Sequence, residues 1–301
     1  QYMYTSKDNV LLAIKRKKDT RATYLRNAEL TYSREHYNGI SYNAVIRNFR
    51  EYATDYARFD RIGANGAVTP VRKYDMTELE LKFRYGKNEK FYQTHDERIP
   101  ITYDALIFNL EHTMSKKGFL GSLYDYHRTE LGIQKRLWFS AFGFVDVIGK
   151  AGKVWNKVPY PLLILPNANL TYTIQPEAYT NMNAIEFIND EYISWDVTYY
   201  MNGLILNRLP LIKKLKWREV LCFRGLWGHL TDKNNPMKTG EGLYAFPVGS
   251  GVMGRAPYME ASVGIENIFK FMRLDYVWRL NYRDHSGIQK RGIRCTMSLS
   301  F

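Results

Sequence analysis

Apolar and polar residues alternate without a break over the last nine positions of the chain. The apolar positions are Ile293, Cys295, Met297, Leu299 and Phe301. Successive side chains of a β-strand point to opposite faces, so this pattern predicts a strand over residues 292–301 with one apolar and one polar face. Such a strand fits a soluble sandwich, and it also fits a sheet with lipid on one side and water on the other.

The same alternation recurs along the whole chain. In residues 271–283 one face is entirely apolar, and the opposite face carries four charged side chains. Twelve strands are predicted, near residues 2–14, 21–35, 40–56, 73–86, 100–113, 122–136, 143–154, 190–203, 217–230, 258–265, 271–283 and 292–301. Many of them exceed the roughly 5–6 residues usual in soluble sheets, and about 9–11 tilted residues cross a bilayer.

The connections between these strands are sorted by length. Residues 155–189 and 231–257 form long links, whereas Asn38-Gly39 and residues 266–270 form short ones. Long loops at one end and short turns at the other are typical of outer-membrane barrels. The link 204–216 is long for the short side, and we interpret it as an interfacial segment.

Together these patterns predict an all-β fold, a transmembrane antiparallel β-barrel over residues 1–301, in the bacterial outer membrane with a periplasmic C-terminus. A sheet that spans lipid must close on itself, because hydrocarbon offers its edges no hydrogen bonds. About 12 strands are visible in this sequence.

Composition and charge narrow the choice of partners. The chain is rich in aromatic residues, with 24 Tyr, 15 Phe and 6 Trp. It contains no run of 18 apolar residues, so the sequence predicts no transmembrane helix. The net charge is +13, but the basic residues are spread thinly, without zinc-finger spacing, an RNP motif or a basic heptad. We therefore expect contacts with outer-membrane lipid and lipopolysaccharide, and no nucleic acid.

Catalytic and metal-binding signatures are missing from the sequence. Its six His residues are scattered, and it contains no Gly-x-Ser-x-Gly, His-Glu-x-x-His or phosphate-binding loop. We expect no enzyme activity, cofactor or metal, and we interpret His95–Glu97 as a polar turn. Cys222 and Cys295 lie three predicted strands apart, about 14 Å at ~4.8 Å per strand, so we predict two free thiols.

Two groups of residues are candidates for function. Charges predicted to face the lumen could form a selective lining or bind an anionic ligand, but a charge ladder that braces the wall is the favoured interpretation. An apolar, proline-bounded run in the 155–189 loop could cap the barrel, bind a partner or pack inside the lumen, and we expect it to be ordered. The lumen-facing charges are Arg273, Asp275, Arg279, Arg283 and Arg294, and the loop plug candidate is Val158, Pro159, Tyr160, Pro161, Leu162 and Leu163.

Several stretches resemble a Bacteroidota outer-membrane family of undefined function. They are "PYMEASVGIENIFKFMRLDYVWRLNYRDHSGIQKRGIRCTMSLSF", "KVPYPLLILPNANLTY", "NGLILNRLPLIKKLKWREV" and "LGSLYDYHRTELGIQKR". Full-length members of that family are similar to a carboxypeptidase-regulatory-like domain followed by a C-terminal barrel. The resemblance implies a barrel with a periplasmic domain upstream, outside this sequence, but it is nearly silent about activity.

The last strands also weakly resemble the barrel of the BamA and TamA superfamily, through the "RLDY" strand and the closing strand that ends in Phe301. This resemblance implies that Phe301 is part of an assembly signal. It also implies that the visible strands, about 12, form either a smaller barrel or the C-terminal part of one with 14–16 strands. The long loop lacks the superfamily's Arg-Gly motif, which weakens an assembly role. Three functions stay open: assistance to outer-membrane assembly or export within a complex, a solute channel or TonB-dependent-type transporter subunit, and a structural barrel that anchors periplasmic or lipoprotein partners.

Overall fold

The computed structural model describes residues 23–93, 98–175, 177–285 and 287–297. Within them the protein is all-β, and most of it lies in one antiparallel sheet of eleven strands. The strands, in chain order, are β1 (Tyr24–Glu35), β2 (Ile40–Tyr52), β3 (Phe59–Ile62), β4 (Val68–Val71), β5 (Lys73–Lys87), β6 (Phe91–Gln93), β7 (Arg98–Pro100), β8 (Leu106–Ser115), β9 (Tyr126–Trp138), β10 (Phe144–Val154), β11 (Glu191–Tyr200), β12 (Arg218–His229), β13 (Tyr258–Ile268), β14 (Met272–Arg279) and β15 (Arg291–Met297). Short 3₁₀ helices lie in the connections, at Phe119–Gly121, Ser140–Phe142, Tyr160–Leu162, Leu206–Arg208, Ile212–Leu215 and Asp232–Asn234.

The large sheet is a meander in which each strand pairs with the next one along the chain. Its order is β1-β2-β5-β8-β9-β10-β11-β12-β13-β14-β15, and β3-β4 and β6-β7 form two separate hairpins within connections. Antiparallel neighbours can be joined directly, without a crossover connection, so strands that follow each other in sequence also lie side by side in the sheet. Consecutive connections therefore fall alternately at the two ends of the sheet.

Eleven of the twelve predicted strands are confirmed, and the twelfth, over residues 2–14, lies outside the described residues. The predicted boundaries differ most at the start of β8, which begins only at Leu106. They differ by four residues at the ends of β2 and β14 and at the start of β9. Beyond β14 the side chain of Asn281 replaces the backbone as acceptor for the Met259 N–H, at 2.9 Å. Tyr282 then adopts a left-handed φ of 53°, which a strand cannot accommodate.

The two faces of the sheet differ in what covers them. The inner face packs against the connections 155–190 and 230–257, and the outer face carries no further layer from the described chain. On β14, for example, Asp275 and Arg279 are buried on the inner face, whereas Leu274 and Trp278 are exposed on the outer face. The alternation in the sequence thus corresponds to real inner and outer positions.

The connections at the two ends differ in kind. We call the end with the long loops the plug end and the other the turn end. The plug-end connections are residues 53–72, 116–125, 155–190, 230–257 and 280–290, and the turn-end connections are residues 36–39, 88–105, 139–143, 201–217 and 269–271. The turn-end link 88–105 is longer than predicted, because it contains the β6-β7 hairpin.

Cys222 on β12 and Cys295 on β15 are both free thiols, as the strand spacing predicted. Three strand spacings separate them in the sheet, which is too far for a disulfide. No helix among the described residues is long and apolar enough to cross a membrane.

Candidate functional site: a loop held against the inner face

The connection between β10 and β11, residues 155–190, lies on the inner face, and we call it the plug loop. Its apolar run turns through a 3₁₀ helix at Tyr160–Leu162, which begins after Pro159 because the proline rings fix the backbone there. Of the six plug candidates, Pro161 is half-buried and the others are buried, namely Val158, Pro159, Tyr160, Leu162 and Leu163. The structure places the run in the core cluster, in contact with the sheet's inner face.

An aromatic cluster receives this run at the plug end. The ring centroid of Tyr160 lies 6.3 Å from that of Phe59, which stacks on Tyr244 at 5.4 Å. The backbone N–H of Val158 donates to the side chain of Asn234 at 2.9 Å, which ties the plug loop to the connection 230–257. Burial raises the pKa of Tyr160, so its ring is neutral and packs as a largely apolar group.

A buried ion pair joins the plug loop to the last hairpin. Glu186 in the loop accepts two hydrogen bonds from Arg279 on β14, at 2.6 and 3.1 Å, and both side chains are at most 1% exposed. The ring of His285 lies 2.8 Å from the same carboxylate. Burial raises the pKa of Glu186, but the bonds and charge of Arg279 outweigh it, so the pKa lies below its usual value.

A second buried carboxylate, Glu260 on β13, binds the backbone of the plug loop. It accepts hydrogen bonds from the N–H groups of Thr180 and Asn181, at 2.9 and 2.6 Å. The hydroxyl of Tyr258 donates to it as well, at 2.7 Å. Charge-assisted bonds of this kind fix a loop that has no strand or helix to satisfy its backbone.

Two arginines of the wall bind carbonyl groups of the same loop. Arg294 on β15 donates to the carbonyl of Thr180 at 2.9 Å, and Arg224 on β12 donates to that of Ala178 at 2.6 Å. Arg224 also pairs with Asp196 on β11 at 3.1 Å. The plug loop is therefore bound from β12, β13, β14 and β15 through side chains on the inner face.

The structure places the predicted lumen-facing charges in three kinds of position. Arg279 and Arg294 bind the plug loop, as described above. Arg273 and Asp275 pair with each other on β14 through two hydrogen bonds, at 2.7 and 2.8 Å. Arg283 is the exception: the prediction that it faces the lumen is wrong, because β14 ends at Arg279 and Arg283 lies exposed in the following turn.

These contacts define what the charges can do. Arg279 and Arg294 donate hydrogen bonds to the plug loop and also to nearby carbonyl groups such as those of Asn281 and Ile293, and not into an open space. Buried charges are stable only with such partners, since an unpaired one has a large desolvation penalty. The arrangement acts chemically as a clamp on a folded-in loop.

A small cavity of about 110 Å³ lies between the plug loop and β9–β12. Its charged lining is paired: Lys150 lies 2.7 Å from Glu177, and Arg128 lies 2.5 Å from Glu130. Burial raises the pKa of Glu177 above its usual value in spite of its lysine partner. Among the described residues no group of three or more His, Cys, Asp or Glu side chains could hold a metal ion.

The sequence alone did not identify the plug-loop residues that take part in the clamp. Thr180, Asn181 and Glu186 lie in an aperiodic stretch, so no pattern distinguished them from other polar loop residues. Arg224 lies in the predicted strand 217–230, and its position on the inner face of that strand was the available signal. Phe301, the predicted assembly signal, and His95–Glu97 lie outside the described residues.

Comparison with protein families matches residues 20–235 to the C-terminal domain of a family of unknown function, DUF5686. Among solved structures, the fold is similar to the crystal structure of BamA from Haemophilus ducreyi lacking POTRA domains 1–3, with a TM-score of 0.52 and 8% sequence identity. The similarity covers 91% of this chain and 54% of that one, so the chain spans about half its length. No curated protein matches the sequence.

Proposed function

Because the chain belongs to the DUF5686 C-terminal domain family, whose function is unknown, we propose a function from its geometry. The chain forms the membrane-embedded part of an outer-membrane β-barrel with a plugged interior, and this barrel assists assembly or export of outer-membrane components within a complex. The proposal includes no catalytic role. The turn end and the C-terminal end of β15 then face the periplasm.

The observation that carries the proposal is the outer face of the sheet. Large apolar side chains stand exposed on it from β2 to β15: Ile46, Leu81, Phe83, Leu131, Ile133, Ile193, Leu221, Phe223, Val263, Leu274, Trp278 and Ile293. Soluble monomers rarely expose a contiguous apolar patch above roughly 300–600 Å². Lipid is the solvent in which this face is stable, while the polar inner positions hold the plug loop.

Closure of the sheet is part of the proposal. β1 and β15 are the outermost strands of the described sheet, and in hydrocarbon their edges would need partners. The similarity in fold to BamA supports this arrangement without defining the strand number.

The edge of β15 favours assembly or export over the other roles. Its Cys295 N–H donates to the carbonyl of Tyr172 in the plug loop at 2.8 Å, and the Thr296 hydroxyl accepts from the Ile174 N–H at 3.4 Å. A loop segment, not a strand, thus occupies this part of the edge within the described chain. An edge held by a few loop contacts can exchange them for an incoming strand.

Assisted insertion tests this role directly. Vesicles that contain the full protein should insert a urea-unfolded outer-membrane barrel faster than vesicles that contain an unrelated, inert barrel at the same density. An equal rate would contradict the assembly role. Since a filled interior also suits a barrel that anchors periplasmic or lipoprotein partners, copurification of such partners without faster insertion would favour the anchoring role.

A further inference from the structure

A basic and apolar surface at the turn end takes no part in the clamp. It consists of three neighbouring connections, residues 139–143, 201–217 and 269–271, and we call it the turn-end surface. Hydrogen bonds from the adjoining strand ends hold two of them: the hydroxyl of Tyr199, near the end of β11, donates to the carbonyl of Phe142 at 2.8 Å, and the amide of Asn267, near the end of β13, donates to the carbonyl of Lys216 at 2.7 Å. The surface is therefore one continuous feature.

The central connection is an ordered element with an unusual composition. Residues 204–218 contain five basic residues and no acidic one. The side chain of Glu219 accepts hydrogen bonds from the N–H groups of Ile205 and Leu206, the first at 3.0 Å, and so satisfies the start of the 3₁₀ helix Leu206–Arg208. Because its backbone is fixed, the connection presents its side chains in a defined arrangement.

Apolar side chains project from this connection without cover from the described chain. Leu211 is 85% exposed, and Ile205, Leu209 and Leu215 are also exposed. Exposed phenylalanines flank them in the neighbouring turns, at Phe139, Phe142, Phe269 and Phe271. Aromatic side chains of this kind are typical of the boundary between hydrocarbon and headgroups.

The lysines of the connection are available for an external anion. Within the described chain, Lys213, Lys214 and Lys216 make no ion pair, and all three are exposed. Each of them lies within two or three positions of Leu211 or Leu215 in the same short connection, so apolar and basic groups are neighbours there. A lipid leaflet offers acyl chains beside phosphates, which matches this combination better than a protein groove or a free phosphate.

We infer that the turn-end surface docks on an anionic phospholipid leaflet, with Leu209, Leu211 and Leu215 in the acyl boundary and the lysines on lipid phosphates. The inference rests on the proposed membrane location of the sheet. The outer face supports the choice of partner, since exposed Leu221 and Phe223 on β12 continue directly from the connection. The surface thus fixes the depth of the barrel at its periplasmic end.

Spin labels test the depth. In a Cys222→Ser/Cys295→Ser background, the full protein carries a label at Leu211→Cys, Ile133→Cys or Val248→Cys and is reconstituted in phosphatidylcholine–phosphatidylglycerol vesicles. Val248 is the matched control, because it is apolar and 87% exposed but lies at the plug end. We expect oxygen to relax the labels at 133 and 211, and an aqueous nickel chelate to relax the label at 248.

The labels at 133 and 211 distinguish an error in the turn-end inference from an error in the proposed membrane function. If the label at 211 responds to the nickel chelate while the label at 133 responds to oxygen, the barrel is in the membrane and the inference about the turn-end surface is wrong. If the label at 133 responds to the chelate, the proposed membrane function itself is wrong.

Lipid selectivity tests the lysines. Spin-labelled phosphatidylglycerol should associate with the wild-type protein more strongly than labelled phosphatidylcholine, and the triple substitution K213Q/K214Q/K216Q should abolish this preference. The control K116Q/K117Q/K238Q removes the same charge from plug-end loops and should keep it. An equal loss in both variants would mean that net charge alone attracts the lipid, which would overturn the assignment.

Discussion

At the scale of single residues, the clamp depends on buried charges that are hydrogen-bonded to the plug loop. Glu186 and Arg279 lie 93 positions apart and meet through two hydrogen bonds. Strand periodicity placed Arg279 on the inner face, because alternation is a local property of the chain. It could not identify Glu186, since a partner in an aperiodic loop is defined only by the folded arrangement.

Removal of one member of this pair should be strongly destabilising. Arg279→Met leaves the Glu186 carboxylate buried without its main partner, and such changes typically lower the free energy of unfolding by about 3–5 kcal/mol. The double variant E186Q/R279M should regain much of this loss. Urea titration in detergent micelles measures both.

An exposed pair provides the control for that experiment. Lys238 and Asp232 lie 2.7 Å apart with both side chains largely in solvent. Lys238→Met should change the free energy of unfolding by less than about 1 kcal/mol. A similar loss for R279M and K238M would contradict the role of burial.

The same carboxylate predicts a pH dependence. The pKa of Glu186 is lowered in the folded protein from its usual 4.5, so its stabilising contribution is present above pH 4.5 and is lost as the pH falls through the lower folded value. Protease cleavage within residues 177–190 should therefore increase in acid. Glu186→Gln should remove that part of the pH dependence, and an unchanged acid profile in this variant would assign it to other groups.

At the scale of elements, alternation predicts strands well when they are long and half-exposed. It located all eleven strands of the large sheet but missed the short hairpins β3-β4 and β6-β7, because three or four residues give too little repetition, and Pro70 argues against a strand at β4. The alternation also extended the prediction for β14 to Arg283, because Leu280 and Tyr282 continue the apolar pattern beyond the end of the strand. The path of the plug loop is set by contacts distant in sequence, which no local pattern contains.

The apolar run of the plug loop should carry much of the loop's stability. Tyr160 is almost fully buried between Phe59 and Phe246, so Tyr160→Ala should lower the free energy of unfolding by about 3–5 kcal/mol through the cavity it leaves. Tyr160→Phe removes only the hydrogen bond from its hydroxyl to the Arg58 carbonyl, worth about 0.5–1.5 kcal/mol. Tyr37→Ala, at a fully exposed ring, should have no measurable effect.

At the scale of the whole molecule, the contacts on the inner face of the sheet favour the proposed plugged barrel over a channel. The plug loop and the connection 230–257 fill the inner face at the plug end, and hydrogen bonds from four strands hold the plug loop there. A water-filled path would need the buried side chains of this cluster to leave the interior together. Because their ion pairs and aromatic contacts are mutually supporting, thermal motion of one residue does not open such a path.

Planar bilayer recordings test this consequence. The full protein should show no steady conductance, whereas replacement of residues 158–163 by a Gly/Ser linker of equal length should produce one, because the linker cannot fill the aromatic cluster. A Gly/Ser replacement of the exposed turn 64–66 is the matched control and should stay silent. Heat-modifiable migration in gels shows which variants are folded before they are compared. Steady conductance of the unaltered protein would contradict the plugged interior and favour the channel, since ions would then pass a region that the clamp should keep closed.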